Sequence, residues 1–279
     1  MRLEDESEPI RGAVPAEYAD VVVAITELGG PTTLMVLLAV LFWCHDRRRS
    51  ALVISYAVAG LGFMLTLETV LGLPRPPESA LLTPLEIDGY GFPSGHAFAA
   101  TVVYGGLISV FDRLRDWRAM TAAAAIIVAI SLSRVVLGVH YLGDVIVGIV
   151  LGIVFVAAMN RLTRSIPTLG FAIAAVFAVP AVFLTGGTTD SVLALGGAIG
   201  GVLTAGRIDR LPALRSRLEG LVLVAVGGGI VVGLRTMETV VEVAPLLVAL
   251  YAVLVAWVFS APLVVGRLAS AGAALRSQF

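Results

Sequence analysis

Long apolar segments alternate with short polar ones along most of this chain. Many of the apolar segments approach the roughly 20 residues that a helix needs to cross the hydrocarbon core of a bilayer. The pattern therefore predicts an all-α, polytopic membrane helix bundle with about nine spans. The predicted spans are residues 30–44, 50–71, 94–111, 118–133, 141–159, 167–185, 189–206, 219–234 and 244–265.

The segment before the first span is less apolar. Residues 1–15 are rich in acidic side chains and are expected to be poorly ordered. Residues 16–28 mix apolar and acidic side chains, which fits either an amphipathic helix at the membrane surface or the start of the first span.

Composition agrees with a membrane protein and excludes other classes. Of the 279 residues, 58% are hydrophobic and 14% are charged, whereas soluble domains carry about 25% charged residues. The net charge of −1 gives no indication of nucleic-acid binding. Cys44 is the single cysteine, so an internal disulfide is excluded. No cofactor is predicted.

The basic residues predict the orientation in the membrane. All 19 are arginine, and most of them lie in alternate loops between the predicted spans. Because arginine-rich loops stay in the cytoplasm, we expect a multi-pass protein of the cell membrane with an extracytoplasmic N-terminus and a cytoplasmic C-terminus. The loops that hold Arg75 and Arg134 then lie outside.

A change in character near residues 160–167 predicts two parts. Residues 1–165 hold the first spans and all of the candidate chemistry, and residues 166–279 add further spans of unassigned role. Glycines recur at GxxxG spacing in both parts, as at Gly148 and Gly152. Such spacing favours close packing of helices within the chain, with a homodimer face as the alternative.

Three segments on the predicted outer side carry polar residues that a membrane protein usually avoids. Arg75 lies in a proline-rich turn after the second span, where a surface role toward lipid headgroups is the simple alternative. Ser94, Gly95 and His96 open the third span: Ser94 is a natural N-cap, and the free N–H groups of a first helical turn suit a phosphate. An incidental histidine at a helix start is the alternative.

The third segment holds Arg134, His140 and Asp144. If a helix begins near Tyr141, His140 and Asp144 lie one turn apart, and the carboxylate can accept the proton of one imidazole nitrogen. The other nitrogen is then free as a base or nucleophile, while Arg134 in the preceding loop offers donors to an oxyanion. A structural pair at the end of a span is the alternative, although an aspartate inside a span costs about 2.5–3.5 kcal/mol.

Together these segments resemble the motifs of the type 2 phosphatidic acid phosphatase (PAP2) superfamily, in its integral membrane branch. That pattern is Lys-x6-Arg-Pro, then Pro-Ser-Gly-His, then Ser-Arg-x5-His-x3-Asp. The second motif is complete at residues 93–96 and the third at residues 133–144. The first is partial, because Arg75-Pro76 matches while Glu68 stands at the lysine position. The resemblance covers about residues 60–150.

The resemblance implies a fold, an activity and residue roles. His140 would attack phosphorus and become phosphohistidine, Asp144 would orient His140, and His96 would protonate the leaving oxygen and later activate water. Phosphoryl oxygens would be bound by Arg75, Ser94, Gly95 and Arg134. The substrate would be a membrane lipid bearing a phosphate or diphosphate, and no metal is expected.

Glu68 departs from the family pattern by placing an anion where the family has a cation. It could point away, hold Arg75 or Arg134, weaken the binding of highly charged groups, or mark a lost activity. We treat it as a modulator that supports an arginine.

Two other functions fit the same residues. One is a sugar phosphatase of the glucose-6-phosphatase type, a branch similar to this chain in having nine spans and an outer N-terminus. The other is a non-catalytic protein that binds or transports lipids on a PAP2 scaffold. Phosphate release from lipid and sugar phosphates separates all three.

Overall fold

The computed structural model describes residues 2–84, 89–212, 217–238, 240–241 and 243–276, and the described residues form helices and connecting loops without strands. The α-helices are α1 (Glu4–Gly12), α2 (Ala19–Glu27), α3 (Pro31–Cys44), α4 (Arg47–Leu71), α5 (Gly95–Ala100), α6 (Gly106–Val110), α7 (Trp117–Val136), α8 (Leu142–Thr163), α9 (Pro167–Thr185), α10 (Thr189–Ala205), α11 (Arg217–Met237) and α12 (Ala244–Arg276). A π-helical turn, Thr101–Gly105, joins α5 to α6.

The all-α membrane architecture is confirmed, and each predicted span coincides with an apolar helix or a helix pair. Within the described residues, five helices are long and apolar enough to cross a membrane, namely α4, α7, α8, α9 and α12 up to Gly266. The segments Ala16–Glu27 and Pro31–Cys44 add a sixth candidate if they act as one span bent by 43°. Three shorter apolar helices correspond to the other predicted spans, so the total of nine stays a prediction.

Helix ends at one end of the bundle converge on the candidate site. The C-termini of α4 and α7 lie there with the N-termini of α5 and α8, because backbone hydrogen bonds tie the connecting loops together. The Gly91 amide donates to the Leu73 carbonyl (2.8 Å), and the Ser94 amide donates to the Asp144 carbonyl (3.1 Å). Four separate stretches of sequence thus meet at one place.

A cluster of phenylalanines fixes α5 beneath this end of the bundle. The ring centroid of Phe98 lies 5.8 Å from that of Phe63 on α4 and 5.4 Å from that of Phe155 on α8. Phe177 on α9 packs edge-on against Phe63 at 5.5 Å. Because these large apolar rings hold α5 between three longer helices, the residues at its N-terminus have a fixed position.

The prediction that residues 1–15 are poorly ordered is wrong for the part that the structure describes. Helix α1 packs Ile10 against a cluster that includes Ala97, Val135 and Val145. The acidic side chains of α1 remain exposed on its other side, which explains why composition alone suggested disorder.

The C-terminal helices pack directly on the first part of the chain. Ala174 of α9 and Ala198 of α10 belong to the same buried cluster as Tyr56 and Phe98. Gly148 and Gly152 serve packing inside the chain, since a Cβ at Gly148 would lie 2.7 Å from the Ser94 carbonyl oxygen. The predicted boundary between the two parts of the chain, at residues 165 and 166, stays a prediction, and so does the homodimer.

Candidate active site

His140 is held in one orientation by two hydrogen bonds. It lies in the loop between α7 and α8, and only 2% of its surface is exposed. Its Nδ1 lies 2.8 Å from the carbonyl oxygen of Gly91, which can only accept, so Nδ1 carries the proton. Nε2 therefore bears the lone pair, and it accepts a hydrogen bond from Nη1 of Arg75 at 3.1 Å. The imidazole thus presents its basic nitrogen to a guanidinium group.

The surroundings of His140 also keep it neutral. Its pKa is lowered from 6.5 to about 4, mainly by burial; the charges of Arg75 and Arg134 act in the same direction, while Asp144 and the Gly91 carbonyl partly offset both. A neutral imidazole retains the lone pair that a nucleophile or base requires.

Asp144 does not pair with His140 in the way the spacing predicts. Its Oδ2 lies 3.7 Å from Nδ1 of His140, beyond hydrogen-bond distance. The carboxylate instead accepts two hydrogen bonds of 2.7 Å from the guanidinium of Arg2, and a third of 2.8 Å from the Tyr141 amide at the start of α8. Arg2 therefore binds the carboxylate that the sequence assigns to His140, and the Gly91 carbonyl binds the Nδ1–H group that the sequence assigns to Asp144.

Arg2 joins three parts of the site. Besides binding Asp144, its side chain donates to the Pro74 carbonyl at 2.7 Å and to the Gly91 carbonyl at 3.1 Å. Its backbone carbonyl accepts from the Gly143 amide at 2.9 Å. A Cβ at Gly143 would lie 2.7 Å from that carbonyl oxygen, so only glycine permits the contact.

Arg134 lies in the last turn of α7 and not in a loop, because α7 extends to Val136. Its Nη1 donates to Oγ1 of Thr26 at 3.1 Å, while its buried Nε has no hydrogen-bond partner among the described residues. The guanidinium interacts electrostatically with Arg75, His96 and His140. Two cationic groups thus flank both histidines, which is an arrangement that suits an anion.

Helix α5 contributes Ser94, Gly95 and His96 at its start. Ser94 is the N-cap, as the sequence predicts; its Oγ accepts from the Ala97 amide at 3.5 Å, and the residue is fully buried. Gly95 and His96 line the same cavity as Arg75 and His140. Of the predicted site residues, Arg75, Gly95, His96 and His140 are thus brought together at one cavity. Ser94 supports the helix start and does not line the cavity, nor do Arg134 and Asp144.

Glu68 also lines this cavity, close to the start of α5. Its Oε1 would lie 3.1 Å from a Cβ at Gly95, so the carboxyl group occupies space that a larger residue would need. Glu68 interacts electrostatically with Arg75 and with Asp190. Of the alternatives left open above, the one in which Glu68 points away from the site is inconsistent with this position.

Two contributions to the site were missed from the sequence, Arg2 and the Gly91 carbonyl. Gly91 precedes the Pro93–His96 motif by two residues, but a backbone acceptor leaves no side-chain signal. Arg2 lies 142 positions from its partner Asp144.

No group of three or more His, Cys, Asp or Glu side chains with metal-binding geometry occurs among the described residues. The guanidinium groups of Arg75 and Arg134 and the carboxylate of Asp144 act on His140, and the carboxyl group of Glu68 acts on Arg75. The expectation that no metal is required stays a prediction, to be tested with a chelator.

Part of the chain matches a known protein family. Residues 49–167 match the PAP2 superfamily. We refer to residues 49–167 as the PAP2 domain after this match. The PAP2 domain contains every motif residue from Glu68 to Asp144, whereas Arg2 and most of α9–α12 lie outside it.

One solved structure similar to this chain is described as the first transmembrane PAP2 type phosphatidylglycerolphosphate phosphatase from Bacillus subtilis. The alignment covers 58% of this chain and 86% of that one, at 24% identity and a TM-score of 0.47. No curated protein matches the chain significantly.

Proposed function

We propose that this protein is a membrane phosphatase that hydrolyses a lipid phosphate or diphosphate through a phosphohistidine at His140. One observation carries the proposal: Nδ1 of His140 donates to the Gly91 carbonyl, and Nε2 faces the guanidinium of Arg75. A phosphate drawn to that guanidinium meets the lone pair of a neutral imidazole. The match of residues 49–167 to the PAP2 superfamily supports the same mechanism.

In the first step, Nε2 attacks phosphorus and the bond between phosphorus and the leaving oxygen breaks. The negative charge of the bound phosphate favours the imidazolium form of His96, which takes up a proton as the substrate binds. His96 gives this proton to the leaving oxygen, so the lipid leaves as an alcohol, or as a monophosphate if the substrate is a diphosphate. Arg75, Arg134 and the backbone amides at Gly95 stabilise the charge on the phosphoryl oxygens.

In the second step, His96 removes a proton from water, and the water oxygen attacks the phosphorus of phosphohistidine. The bond to Nε2 breaks, inorganic phosphate forms and His140 recovers its lone pair. The Gly91 carbonyl stabilises the positive charge that the imidazole carries in the intermediate. The carboxylate of Asp144, 3.7 Å from Nδ1, stabilises the same charge electrostatically.

The decisive experiment measures phosphate release by the purified full chain in detergent. Phosphatidate, a polyprenyl diphosphate and glucose 6-phosphate are supplied as substrates, with and without EDTA. We expect release from at least one lipid phosphate, undiminished by EDTA. His140→Ala should abolish release, and His96→Ala should lower it about 10²–10⁴-fold.

His45→Ala is the matched control. His45 directly follows the C-terminus of α3 and stacks on Phe111 at a centroid distance of 5.5 Å. It should retain wild-type activity. Radiolabelled phosphate trapped on His140 in the His96→Ala variant would demonstrate the intermediate. A preference for glucose 6-phosphate would instead assign a sugar phosphatase, and no release from any substrate would assign a non-catalytic lipid-binding protein.

A further inference from the structure

A single cavity of about 840 Å³ joins the candidate active site to the C-terminal helices. At one end it is lined by Arg75, His96 and His140. Farther in, its walls include side chains from three helices outside the PAP2 domain, among them Leu193 of α10, Val231 of α11 and Val255 of α12. Its volume lies in the upper part of the range of about 300–1,000 Å³ that is typical of small-molecule sites.

The cavity is deep relative to a membrane leaflet. Along α4 its lining runs from Glu68 at the site to Ile54, which corresponds to about 20 Å at about 1.5 Å per residue. One leaflet of the hydrocarbon core is about 15 Å thick, half of the roughly 30 Å total. A hydrocarbon chain that starts at the phosphate site therefore fits in the cavity along its length.

Polarity divides the cavity in the same direction. Polar lining residues are found at the site end, where Thr69, Thr188 and Asp190 accompany Glu68. The inner part is lined by apolar side chains, such as Leu38, Val58, Leu254 and Phe259. A lipid phosphate has the same division, with one charged end and a long apolar chain.

Resting on the proposed function, we propose that α10, α11 and α12 form the wall of a pocket that encloses one hydrocarbon chain of the lipid substrate while its phosphate lies at His140. This gives residues 166–279 a role, which is selection of the substrate by the length of its chain. Contact with the apolar walls favours longer chains until the end of the pocket is reached.

The cavity can be obstructed at a defined level. Gly197 of α10 lies between Val58 of α4 and Val255 of α12: a Cβ on Gly197 would be 3.4 Å from Cγ1 of Val58 and 3.7 Å from Cγ2 of Val255. These are ordinary contacts, so alanine fits at this position, whereas a larger side chain would enter the cavity. The level is about 15 Å from Glu68 along α4, so it affects long chains and leaves room for short ones.

The test compares hydrolysis of octyl and hexadecyl phosphate by the full-length protein in one detergent. The quantity measured is the ratio of kcat/KM for hexadecyl phosphate to that for octyl phosphate. Val255→Phe should lower this ratio on the order of tenfold, because burial of each methylene is worth about fourfold and the phenyl ring takes the space of about two. Partitioning into detergent is the same for all variants and cancels in the comparison.

Val253→Phe is the matched control, since Val253 lies on the same helix with 54% exposure and does not line the cavity. It should keep the wild-type ratio. Gly197→Leu should lower the ratio as Val255→Phe does, and Gly197→Ala should lower it less. These two variants of α10 form a second test variant and control, independent of the pair on α12.

The outcomes separate the two proposals. Hydrolysis of both substrates with the same ratio in Val255→Phe, Gly197→Leu and Val253→Phe overturns the chain pocket and leaves the phosphatase standing. If wild-type protein releases phosphate from neither alkyl phosphate, nor from phosphatidate or the polyprenyl diphosphate, the proposed function fails and the chain pocket fails with it.

Discussion

At the scale of single residues, the pKa of His140 sets the pH range of the reaction. Protonation removes the Nε2 lone pair, so the reactive fraction falls as pH decreases through the pKa. Because burial lowers this pKa to about 4, we expect kcat/KM to be insensitive to His140 protonation down to roughly pH 5 and to decline below it. The measurement is a pH profile of kcat/KM, corrected for the ionisation of the substrate, which is titrated separately. A decline centred on pH 6.5 would contradict the prediction.

Glu68 gives a second prediction at this scale. Its carboxyl group shares the cavity with Arg75, so whenever it is ionised its negative charge opposes that of a bound phosphate. Glu68→Gln removes that charge, and Glu68→Lys replaces it with a positive one. We expect the inhibition constant of inorganic phosphate to fall about tenfold in Glu68→Gln, a change of about 1.4 kcal/mol, and to fall further in Glu68→Lys.

Glu78→Gln is the control for Glu68, because Glu78 is exposed in a short 3₁₀ helix, Glu78–Ala80. It should leave phosphate inhibition unchanged. If neither Glu68 variant changes inhibition or turnover, Glu68 has no role at the site. If turnover falls without tighter inhibition, its role is to hold Arg75.

At the scale of elements, the N-terminal segment anchors the loops of the site through Arg2. The Asp144 carboxylate is fully buried, and Arg2 provides two of its hydrogen bonds. Removing one partner of a buried ion pair costs about 3–5 kcal/mol, so Arg2→Ala should lower the thermal stability in detergent and reduce turnover. Arg2→Lys should recover only part of both, because an ammonium group lacks the planar pair of donors.

The control for Arg2 is Arg11→Ala, which removes an arginine from the last turn of α1. It should behave as wild type in both measurements. Wild-type stability and turnover in Arg2→Ala would show that Asp144 does not depend on the N-terminal segment.

Element positions were predictable because a helix in lipid must satisfy its own backbone hydrogen bonds, which requires long apolar segments. The predicted span 50–71 corresponds to Arg47–Leu71, and 118–133 corresponds to Trp117–Val136. Because α7 extends three residues beyond the predicted end at residue 133, Arg134 lies in a helical turn and not in the predicted loop. Ser94 was predicted as an N-cap because a cap acts within its own turn.

The contacts of Asp144 and His140 could not be predicted in the same way. Local spacing indicates which side chains are close, but not which of several partners is preferred. Arg2 approaches Asp144 only because α1 buries Ile10 against α7 and α8, and His140 reaches the Gly91 carbonyl only because the loops are tied together. Both depend on tertiary packing between distant parts of the chain.

At the scale of the whole molecule, the distribution of arginines predicts which end of the bundle is exposed to the cell exterior. Arg47, Arg48 and Arg49 begin α4, and the histidine site lies at its other end, about 35 Å away for a helix of 25 residues. Since arginine-rich loops remain in the cytoplasm, the site should face outward. A lipid substrate would then enter from the outer leaflet.

The single cysteine makes this orientation testable without disturbing the site. Cys44 is exposed at the end of α3, next to the arginine-rich loop. On intact cells, a membrane-impermeant maleimide should leave Cys44 unlabelled until the membrane is permeabilised. In a Cys44→Ser background, Ser79→Cys should be labelled without permeabilisation, because Ser79 is exposed in the loop between α4 and α5. Labelling of Cys44 on intact cells together with protection of Ser79→Cys would reverse the orientation, and the substrate would then have to come from the cytoplasmic leaflet.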